Sequence, residues 1–234
     1  MQQASLKITK TRQIRNPTYY VEAINGDYAD FALDEDRARE FRGEWRSQAF
    51  KVESGVPLDV EVGIGVGYFF AHHARNNPQR VLVGIELKFK PLIQSLRRAL
   101  NQGAKNIKGV RYHAHLITDL FTECEIDNVY IHHPDPWTKR KKNKHRLLNS
   151  EFLSRLFTLQ KPGGFLEIKT DSHDYFLWLL EEIKNSPYKI IRQTEDLHTS
   201  VWQDENFVTQ FEQFALNEGK KICYLRATKS EVAV

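Results

Sequence analysis

Three glycines at alternating positions follow an apolar segment that contains Glu61: Gly63, Gly65 and Gly67. Glycines at the turn between a strand and a helix let the backbone approach a ligand closely, and the first amides of the helix then point toward it. The next apolar segment ends in Glu86. A carboxylate at a strand end can accept hydrogen bonds from both ribose hydroxyls of an adenosine. These residues predict a nucleoside-containing ligand at the ends of two strands.

The spacing of the glycines distinguishes between cofactors. A dinucleotide fingerprint requires Gly-x-Gly-x-x-Gly, and Tyr68 stands where its third glycine would be. The form present here, acidic-x-Gly-x-Gly-x-Gly, is typical of a loop that meets the amino-acid part of S-adenosylmethionine. Together with Glu86 it favours that cofactor over a purely structural turn. A nicotinamide-dependent oxidoreductase remains an alternative that would need the missing glycine.

A rigid carboxylate stands further along the chain, in Pro134-Asp135-Pro136-Trp137. Each proline fixes its own φ angle and biases the residue before it toward extended geometry, so Asp135 should be held stiffly. The flat indole of Trp137 can stack on a base. We expect a nucleobase pocket here, the alternative being a Pro-Asp-Pro turn with a core tryptophan.

Positive charge is concentrated directly after this motif. The chain has 34 Lys and Arg against 30 Asp and Glu, a net charge of +4, and residues 139–146 carry six of the positive charges. Without that segment the remaining chain has a net charge of −2. Such concentration predicts a site for a polyanion, although a basic run can also be solvated surface.

The elements that would position these residues alternate between strands and helices. Five apolar segments predict strands: 58–62, 81–86, 106–113, 127–133 and 165–170. Helical patterns occupy 68–76, 89–102, 149–160 and 173–184, and two further strands are predicted in 188–194 and 220–228, separated by a loop or short structure at 195–218. This alternation predicts an α/β fold with a mostly parallel, helix-covered sheet of seven strands.

The N-terminal region differs in composition from the rest. Residues 1–20 hold four basic residues before the first acidic one and show no periodicity, which indicates a mobile basic arm. Phe41, Trp45 and Phe50 recur at roughly helical spacing and predict a surface helix. We therefore expect residues 1–50 to form an arm and a surface helix, and residues 51–234 to form the main domain.

Composition and cysteine usage exclude several classes of protein. With 234 residues, 41% hydrophobic and 27% charged, the chain is neither disordered nor membrane-spanning, and its N-terminus lacks the apolar core of a secretory signal. Two cysteines cannot form a disulfide framework. We therefore expect a reduced, cytoplasmic protein.

Metal and covalent chemistry lack candidates. Six histidines occur in three groups but form no zinc-binding motif, and adjacent strand histidines point to opposite faces: His72, His73, His113, His115, His132 and His133. Neither a Gly-x-Ser-x-Gly motif nor a cysteine nucleophile motif is present. We predict no metal and no covalent intermediate.

Taken in order, these motifs resemble one family over about residues 58–227. The segments that carry the resemblance are Glu61 to Gly67, Gly84-Ile-Glu86, Pro134 to Trp137 with Lys139 and the basic run, Leu147, Pro162-Gly-Gly164, Thr170-Asp171 and Thr209-x-Phe-Glu212. They are similar to the bacterial tRNA (guanine-N7-)-methyltransferases. The resemblance implies a Rossmann-like class I methyltransferase fold, with helices on both faces of the sheet, that methylates N7 of a guanine in the tRNA variable loop (guanosine 46).

The same resemblance implies roles for individual residues. Glu61, the three glycines and Glu86 would bind S-adenosylmethionine, and Asp135 would be the active-site aspartate that also lines the cofactor pocket. The tRNA would contact Lys139, the rest of the basic run (Lys141, Lys142, Asn143, Lys144, His145 and Arg146), then Asp171 and the segment Thr209, Gln210, Phe211 and Glu212. We expect Glu61, Glu86 and Asp135 to meet at one edge of the sheet.

Four positions depart from the family pattern. His113 stands where the family usually has an aspartate that contacts the cofactor, and an imidazole there could hydrogen-bond adenine. His133 replaces a usual phenylalanine, Thr138 a common proline and His145 one of two consecutive arginines. We expect these changes to alter RNA affinity and pocket shape rather than the type of reaction.

Two further alternatives belong to other functional classes. One is a methyltransferase that acts on another base, another RNA or a protein, and the other is an RNA-binding protein without activity. With tRNA as the expected partner, no obligatory protein partner is implied, and the protein would act as a monomer or a homodimer.

Overall fold

The computed structural model describes residues 18–138 and 144–229. The chain divides into two compact units, the first ending at Thr122 and the second beginning at Glu123. In the described residues no helix is both long and apolar enough to cross a membrane.

The first unit is built on four parallel strands within its described part. They are β1 (Ala32–Leu33), β2 (Leu58–Val62), β3 (Val81–Glu86) and β4 (Ile107–Arg111). Their order across the sheet is β1-β4-β3-β2, and every neighbouring pair in this unit is parallel. The carboxyl ends of β2, β3 and β4 therefore lie along one edge.

Helices connect these strands. The unit contains α1 (Thr18–Ala23), α2 (Glu35–Glu40), a π-helix (Trp45–Phe50), α3 (Tyr68–Asn76), α4 (Phe89–Asn101) and a 3₁₀ helix (Ala114–Asp119). Helix α4 buries Leu92, Leu96 and Ala99, which recur at helical spacing and form one apolar stripe. This stripe belongs to the same hydrophobic cluster as Leu82 of β3, so it fixes α4 to the unit's core.

The helix predicted around Trp45 turns one face into the core. Helical structure does occur there, but Trp45 is fully buried and its indole N–H donates to the Leu120 carbonyl at 2.7 Å. Its ring stacks on Phe121 and packs against Phe41. Removing a large aromatic side chain from water stabilises the fold, so Trp45 packs into the core.

The second unit contains four strands in its described residues, β5 (Val129–His132), β6 (Phe165–Thr170), β7 (Lys189–Thr194) and β8 (Cys223–Thr228). They lie in the order β5-β6-β8-β7, with β5 parallel to β6 and the two pairs involving β8 antiparallel. Its helices are α5 (Ser150–Leu159), α6 (His173–Lys184), α7 (Gln210–Asn217) and two 3₁₀ turns (Leu197–Thr199 and Gln203–Glu205).

The predicted order of strands and helices is confirmed. All seven predicted strands and all four helices from residue 58 onward are present, and the segment 195–218 holds the two 3₁₀ turns and α7. The described residues contain eight strands rather than seven. The additional one is β1, two residues long, which pairs with Gly109 and Val110 of β4 and is too short to leave a pattern in the sequence.

Candidate active site

The glycine loop lies at the carboxyl end of β2. Its three glycines have φ angles of +80°, +52° and +80°, which other residues adopt only with strain. The Gly63 amide donates to the Ile85 carbonyl at 2.8 Å, which ties the loop to the neighbouring strand. A Cβ atom added to Gly63 or Gly65 would meet no atom within 4 Å, whereas one added to Gly67 would collide with Ser95 of α4. Two of the glycines thus border open space, and the third permits close helix packing.

Glu86 ends β3 beside this loop. One carboxylate oxygen accepts the Gly65 amide at 3.1 Å and the other accepts the Lys88 amide at 3.0 Å. Burial raises the pKa of Glu86, although the backbone N–H groups that it accepts partly offset that effect. The carboxylate is therefore held in one orientation by the loop that it stabilises.

Glu61 and His113 lie on the strands to either side. Glu61 is 4% exposed and is the residue opposite Gly84 in the pairing of β2 with β3. His113 follows β4, where its Nδ1 accepts the His115 amide at 3.3 Å and begins the 3₁₀ helix. The first unit thus brings all of its predicted cofactor residues to neighbouring strand ends.

These groups fit the adenosine and amino-acid parts of S-adenosylmethionine. A carboxylate has about four acceptor positions, and the two backbone amides on Glu86 leave one on each oxygen. Two ribose hydroxyls could fill them. The open space at Gly63 and Gly65 gives a ligand direct access to the backbone of the loop.

In the second unit, Asp135 lies in a constrained loop after β5. His133 and Trp137, on either side of Pro134-Asp135-Pro136, have φ angles of +50° and +44°. The Asp135 side chain is exposed. Strained backbone of this kind often marks a functional position, because the rest of the fold must compensate for it.

Arg146 holds this loop from behind. It is 5% exposed, and its Nε donates to the Pro136 carbonyl at 2.9 Å. Its guanidinium lies 4.8 Å from the Trp178 ring and 5.3 Å from the Tyr175 ring. Cation–π contacts and a hydrogen bond to the backbone therefore hold the Arg146 guanidinium in the interior of the second unit.

The other members of the basic run are placed differently. Lys139, Lys141, Lys142 and Asn143 lie outside the described residues. Lys144 and His145 are exposed, and the His145 ring lies 5.3 Å from that of Trp137. The described part of the run thus combines two solvent-facing side chains with the interior Arg146.

Asp171 follows β6 and has two cationic or polar neighbours. His133 Nδ1 lies 3.7 Å from its carboxylate, and the Lys220 ammonium lies 3.2 Å away. The His133 contact, with a smaller contribution from Lys220, lowers the pKa of Asp171 to about 2. The next residue, Ser172, caps α6 by accepting the Tyr175 amide, so the Asp171 carboxylate is not used as the helix cap.

The segment Thr209 to Glu212 divides into inward and outward residues. Thr209 caps α7 by accepting the Glu212 amide at 3.1 Å. Glu212 is fully buried, whereas Gln210 and Phe211 face solvent, with Phe211 56% exposed. Two of the four residues are therefore available to a partner as the structure stands.

Sequence reasoning missed the groups that surround Glu212. Its carboxylate accepts from Lys169 at 2.8 Å and from Asn206 at 2.7 Å, and His198 Nε2 lies 2.8 Å away. A signal was present in β6, where Glu167 and Lys169 occupy alternate positions of a strand that is buried almost throughout. Charged residues in such a strand indicate internal ion pairs.

Comparison with known proteins assigns the chain to a family. A family model described as "Putative methyltransferase" matches residues 56–225. The tRNA (guanine-N(7)-)-methyltransferase of Bdellovibrio bacteriovorus is 57% identical over 207 residues, which cover 88% of this chain and 99% of that protein. The protein of the same name from Clostridium novyi is 33% identical over 192 residues, 82% of this chain and 88% of that one.

Solved structures support the same fold at much lower identity. A variant of the 16S rRNA (adenine(1408)-N(1))-methyltransferase from Catenulisporales acidiphilia, solved with its cosubstrate SAM, has a TM-score of 0.52 at 19% identity and covers 77% of this chain and 89% of its own. An antibiotic-related methyltransferase has the same TM-score at 21% identity, covering 74% and 86%. The fold is that of these methyltransferases, and on the strength of its relatives the chain belongs to the tRNA (guanine-N(7)-)-methyltransferase family.

Proposed function

We propose that this protein transfers a methyl group from S-adenosylmethionine to N7 of a guanine in tRNA, producing 7-methylguanosine and S-adenosylhomocysteine. The observation that carries the proposal is the contact between Glu86 and the Gly65 amide, which joins the ends of two parallel strands beside open space. This arrangement suits a nucleoside cofactor. The relatives named for this reaction extend over nearly the whole chain.

The cofactor would be held by residues of the first unit. Glu86 would accept the ribose hydroxyls, Glu61 and the loop from Gly63 to Gly67 would hold the amino-acid part, and His113 would hydrogen-bond the adenine. When bound, S-adenosylmethionine supplies an electrophilic methyl group on a positively charged sulfur. The protein contributes fixed orientation, because Glu86 is already held by two backbone amides before any ligand arrives.

The acceptor atom makes modest chemical demands. N7 of guanine carries a lone pair and no proton, so its attack requires no general base. The purine gains positive charge during transfer, and a fixed carboxylate can stabilise that charge or accept a hydrogen bond from guanine N1 or N2. Asp135 is the catalytic residue in this proposal, since it is exposed and its loop is constrained on both sides.

The tRNA would be bound through phosphates and exposed bases. Side chains cannot reach N7 in the narrow major groove of A-form RNA, so the target must lie in a loop or junction, and we infer guanosine 46 of the variable loop. Phosphates would meet the basic run from Lys139 to His145, whose described members Lys144 and His145 are exposed. Asp171, Gln210 and Phe211 would contact the substrate, while Arg146, Thr209 and Glu212 hold these groups in place. Such a reaction on tRNA belongs in the cytoplasm.

One experiment tests substrate, base and atom together. The purified protein is incubated with unmodified tRNA and labelled S-adenosylmethionine, and the product is reduced and treated with aniline, which cleaves RNA at 7-methylguanosine. We expect label in the tRNA and scission at one variable-loop guanine. The same assay is run on Glu86→Gln, which tests the proposed cofactor site, and on Glu53→Gln, an exposed position that serves as its matched control.

Other outcomes point to the alternatives. Label without aniline scission would indicate methylation of a different atom or base. Binding of tRNA with no transfer of label would indicate an RNA-binding protein without activity. Failure to bind S-adenosylmethionine would return attention to a nicotinamide cofactor.

A further inference from the structure

We propose that His133 is a specificity-determining residue of the acceptor site, whose ring nitrogen Nε2 accepts a hydrogen bond from the Watson–Crick edge of the target guanine. The inference rests on the proposed function and adds to it the group that reads the base. It concerns the imidazole itself, because a hydrocarbon ring such as phenylalanine in its place could not accept such a bond.

The backbone presents His133 in a strained conformation. The residue directly follows β5 with a φ angle of +50°, and its amide donates to the Lys169 carbonyl at 2.7 Å. A left-handed conformation is uncommon for a residue with a side chain and costs free energy. The hydrogen bond to β6 fixes that conformation and with it the direction of the imidazole.

The imidazole is buried with unused hydrogen-bonding capacity. The side chain is 6% exposed, and within the described residues neither ring nitrogen has a hydrogen-bond partner. A buried polar group without a partner is costly, so native proteins rarely retain one without a functional reason. A ligand that supplies the missing hydrogen bond would recover that cost on binding.

The imidazole lies between two residues proposed to contact the substrate, Asp171 and Phe211. Asp171 Oδ1 lies 3.7 Å from Nδ1, too far for a hydrogen bond but close enough for electrostatic attraction. Of the two tautomers of a neutral imidazole, the carboxylate favours the one that carries its proton on Nδ1. In that tautomer Nε2 has a free lone pair and acts as an acceptor.

Phe211 covers the imidazole on its other side. The two ring centroids are 4.9 Å apart with an interplanar angle of 46°, and Phe211 is 56% exposed at the start of α7. An exposed side chain of this kind changes rotamer readily, so the ring can swing toward solvent. An incoming purine can then take up the space beside His133 while it stacks on the displaced phenyl ring.

An acceptor at Nε2 distinguishes guanine from adenine. Guanine presents N1–H and the 2-amino group on its Watson–Crick edge, both of them donors, whereas adenine has an acceptor at N1 and only C2–H beside it. Guanine can thus donate to His133 and still have an N–H group for a carboxylate. Adenine at the same place would leave the imidazole unsatisfied, which is the strongest form of discrimination available to a binding site.

The test combines a side-chain change with base changes. His133→Phe keeps the ring contact with Phe211 and removes both nitrogens, and the exposed His173→Phe of α6 serves as control. Each protein is assayed on tRNA that carries guanosine, inosine or 2-aminopurine at the acceptor position. Inosine lacks the 2-amino group and 2-aminopurine lacks N1–H, but both keep N7.

We expect His133→Phe to lower kcat/KM on guanosine by about tenfold. One of the two analogues lacks the N–H group that His133 accepts. On that analogue His133→Phe should lower kcat/KM by less than about twofold, because the wild-type protein does not form this hydrogen bond there either. The Kd for S-adenosylmethionine should not change. His133→Gln, whose amide oxygen can accept, should recover part of the guanosine activity, and this variant replaces the phenylalanine variant if the latter melts early.

Each contrary result has a distinct meaning. An equal loss on all three substrates would show that the imidazole does not read the base and would overturn this inference alone. Full activity of His133→Phe on guanosine would do the same. Absence of 7-methylguanosine from the wild-type reaction would overturn the proposed function and this inference together.

Discussion

The ammonium of Lys169 lies 2.8 Å from the carboxylate of Glu212, with the two side chains 2% and 0% exposed. Lys169 also donates to the Asn206 side chain at 2.9 Å and to the Phe207 carbonyl at 3.1 Å. Burial alone would raise the pKa of Glu212, but the charge of Lys169 and the hydrogen bonds to the carboxylate lower it overall. This pair ties the chain before α7 to β6 and so sets where Phe211 is presented.

Removing one charge of this pair should destabilise the fold. In Glu212→Gln the Lys169 ammonium stays buried without a counter-charge, and we expect the free energy of unfolding to fall by about 3 kcal/mol. Denaturant unfolding measures the change. Glu218→Gln, which removes a carboxylate from an exposed ion pair with Lys220, serves as control and should have little effect. Equal losses in the two variants would contradict the structural role of Lys169.

The main elements could be predicted because their signals are local. The alternation of apolar segments predicts β3, and helical periodicity predicts α6. Both predictions have the same first and last residues as the elements in the structure. Spacing predicts that Phe41, Trp45 and Phe50 share a helical face, but it does not show what that face packs against, which here is Phe121. The two-residue β1 has no pattern of its own, since only its pairing with β4 makes it a strand.

In the candidate site, too, some features follow from local sequence and others depend on distant residues. The placement of Glu86 beside Gly65 follows from strand ends that meet at one edge, so sequence spacing alone predicts it. Arg146 and Glu212 are buried against partners far away in sequence, the rings of Tyr175 and Trp178 for the first and Lys169 for the second. Motif resemblance assigned both to tRNA contact, and it cannot distinguish a residue that touches a substrate from one that holds its neighbour.

Two alanine substitutions should separate cofactor binding from folding. Gly65→Ala adds a methyl group that meets no protein atom within 4 Å, whereas in Gly67→Ala it collides with Ser95. Both positions have a positive φ angle, so the backbone strain of about 1 kcal/mol is shared. We expect Gly65→Ala to weaken S-adenosylmethionine binding at least about tenfold by intruding on the ligand, with only the shared strain lost in stability.

Gly67→Ala should instead lose stability beyond that strain, by about 2 kcal/mol. Calorimetric titration and thermal melting of the two variants measure the two quantities side by side. If Gly65→Ala binds the cofactor with unchanged affinity, the loop does not meet the ligand.

Asp135 should affect turnover rather than cofactor binding. Asp135→Ala removes the exposed carboxylate, and we expect kcat to fall by about 100-fold or more, because a fixed charge near developing charge contributes on this scale. The Kd for S-adenosylmethionine should change by less than about threefold. Asp135→Asn keeps the shape and loses the charge, so it separates the electrostatic role from hydrogen bonding. A near-normal rate in the alanine variant would contradict the assignment of Asp135 as catalytic.

The basic run should give tRNA binding its dependence on salt. The double charge reversal Lys141→Glu with Lys142→Glu removes two sites for phosphate contact, and we expect weaker binding with a log–log salt slope reduced by about 1.5 to 2. Filter binding at several salt concentrations measures that slope. The control reverses the exposed Lys105 and Lys184, which changes the net charge equally. An unchanged slope in the first variant would show that the run is solvated surface.

His132 should make the fold sensitive to mild acid. Its side chain is 5% exposed and lies 3.2 Å from Glu167, and burial together with the charge of Lys169 lowers its pKa from 6.5 to about 4. The unfolded chain therefore takes up a proton at a higher pH than the folded protein does. Stability that is complete above pH 6.5 is lost as the pH falls toward 4.

Between pH 7 and pH 5 this loss should amount to about 2 kcal/mol. Glu167, whose pKa is lowered from 4.5 to about 2, adds its own loss only in more acidic solution, so it does not obscure this window. Urea unfolding at several pH values measures the slope. His132→Gln should flatten it, whereas the exposed His173→Asn should leave it as in the wild type. A slope that survives in His132→Gln would place the acid sensitivity in another group.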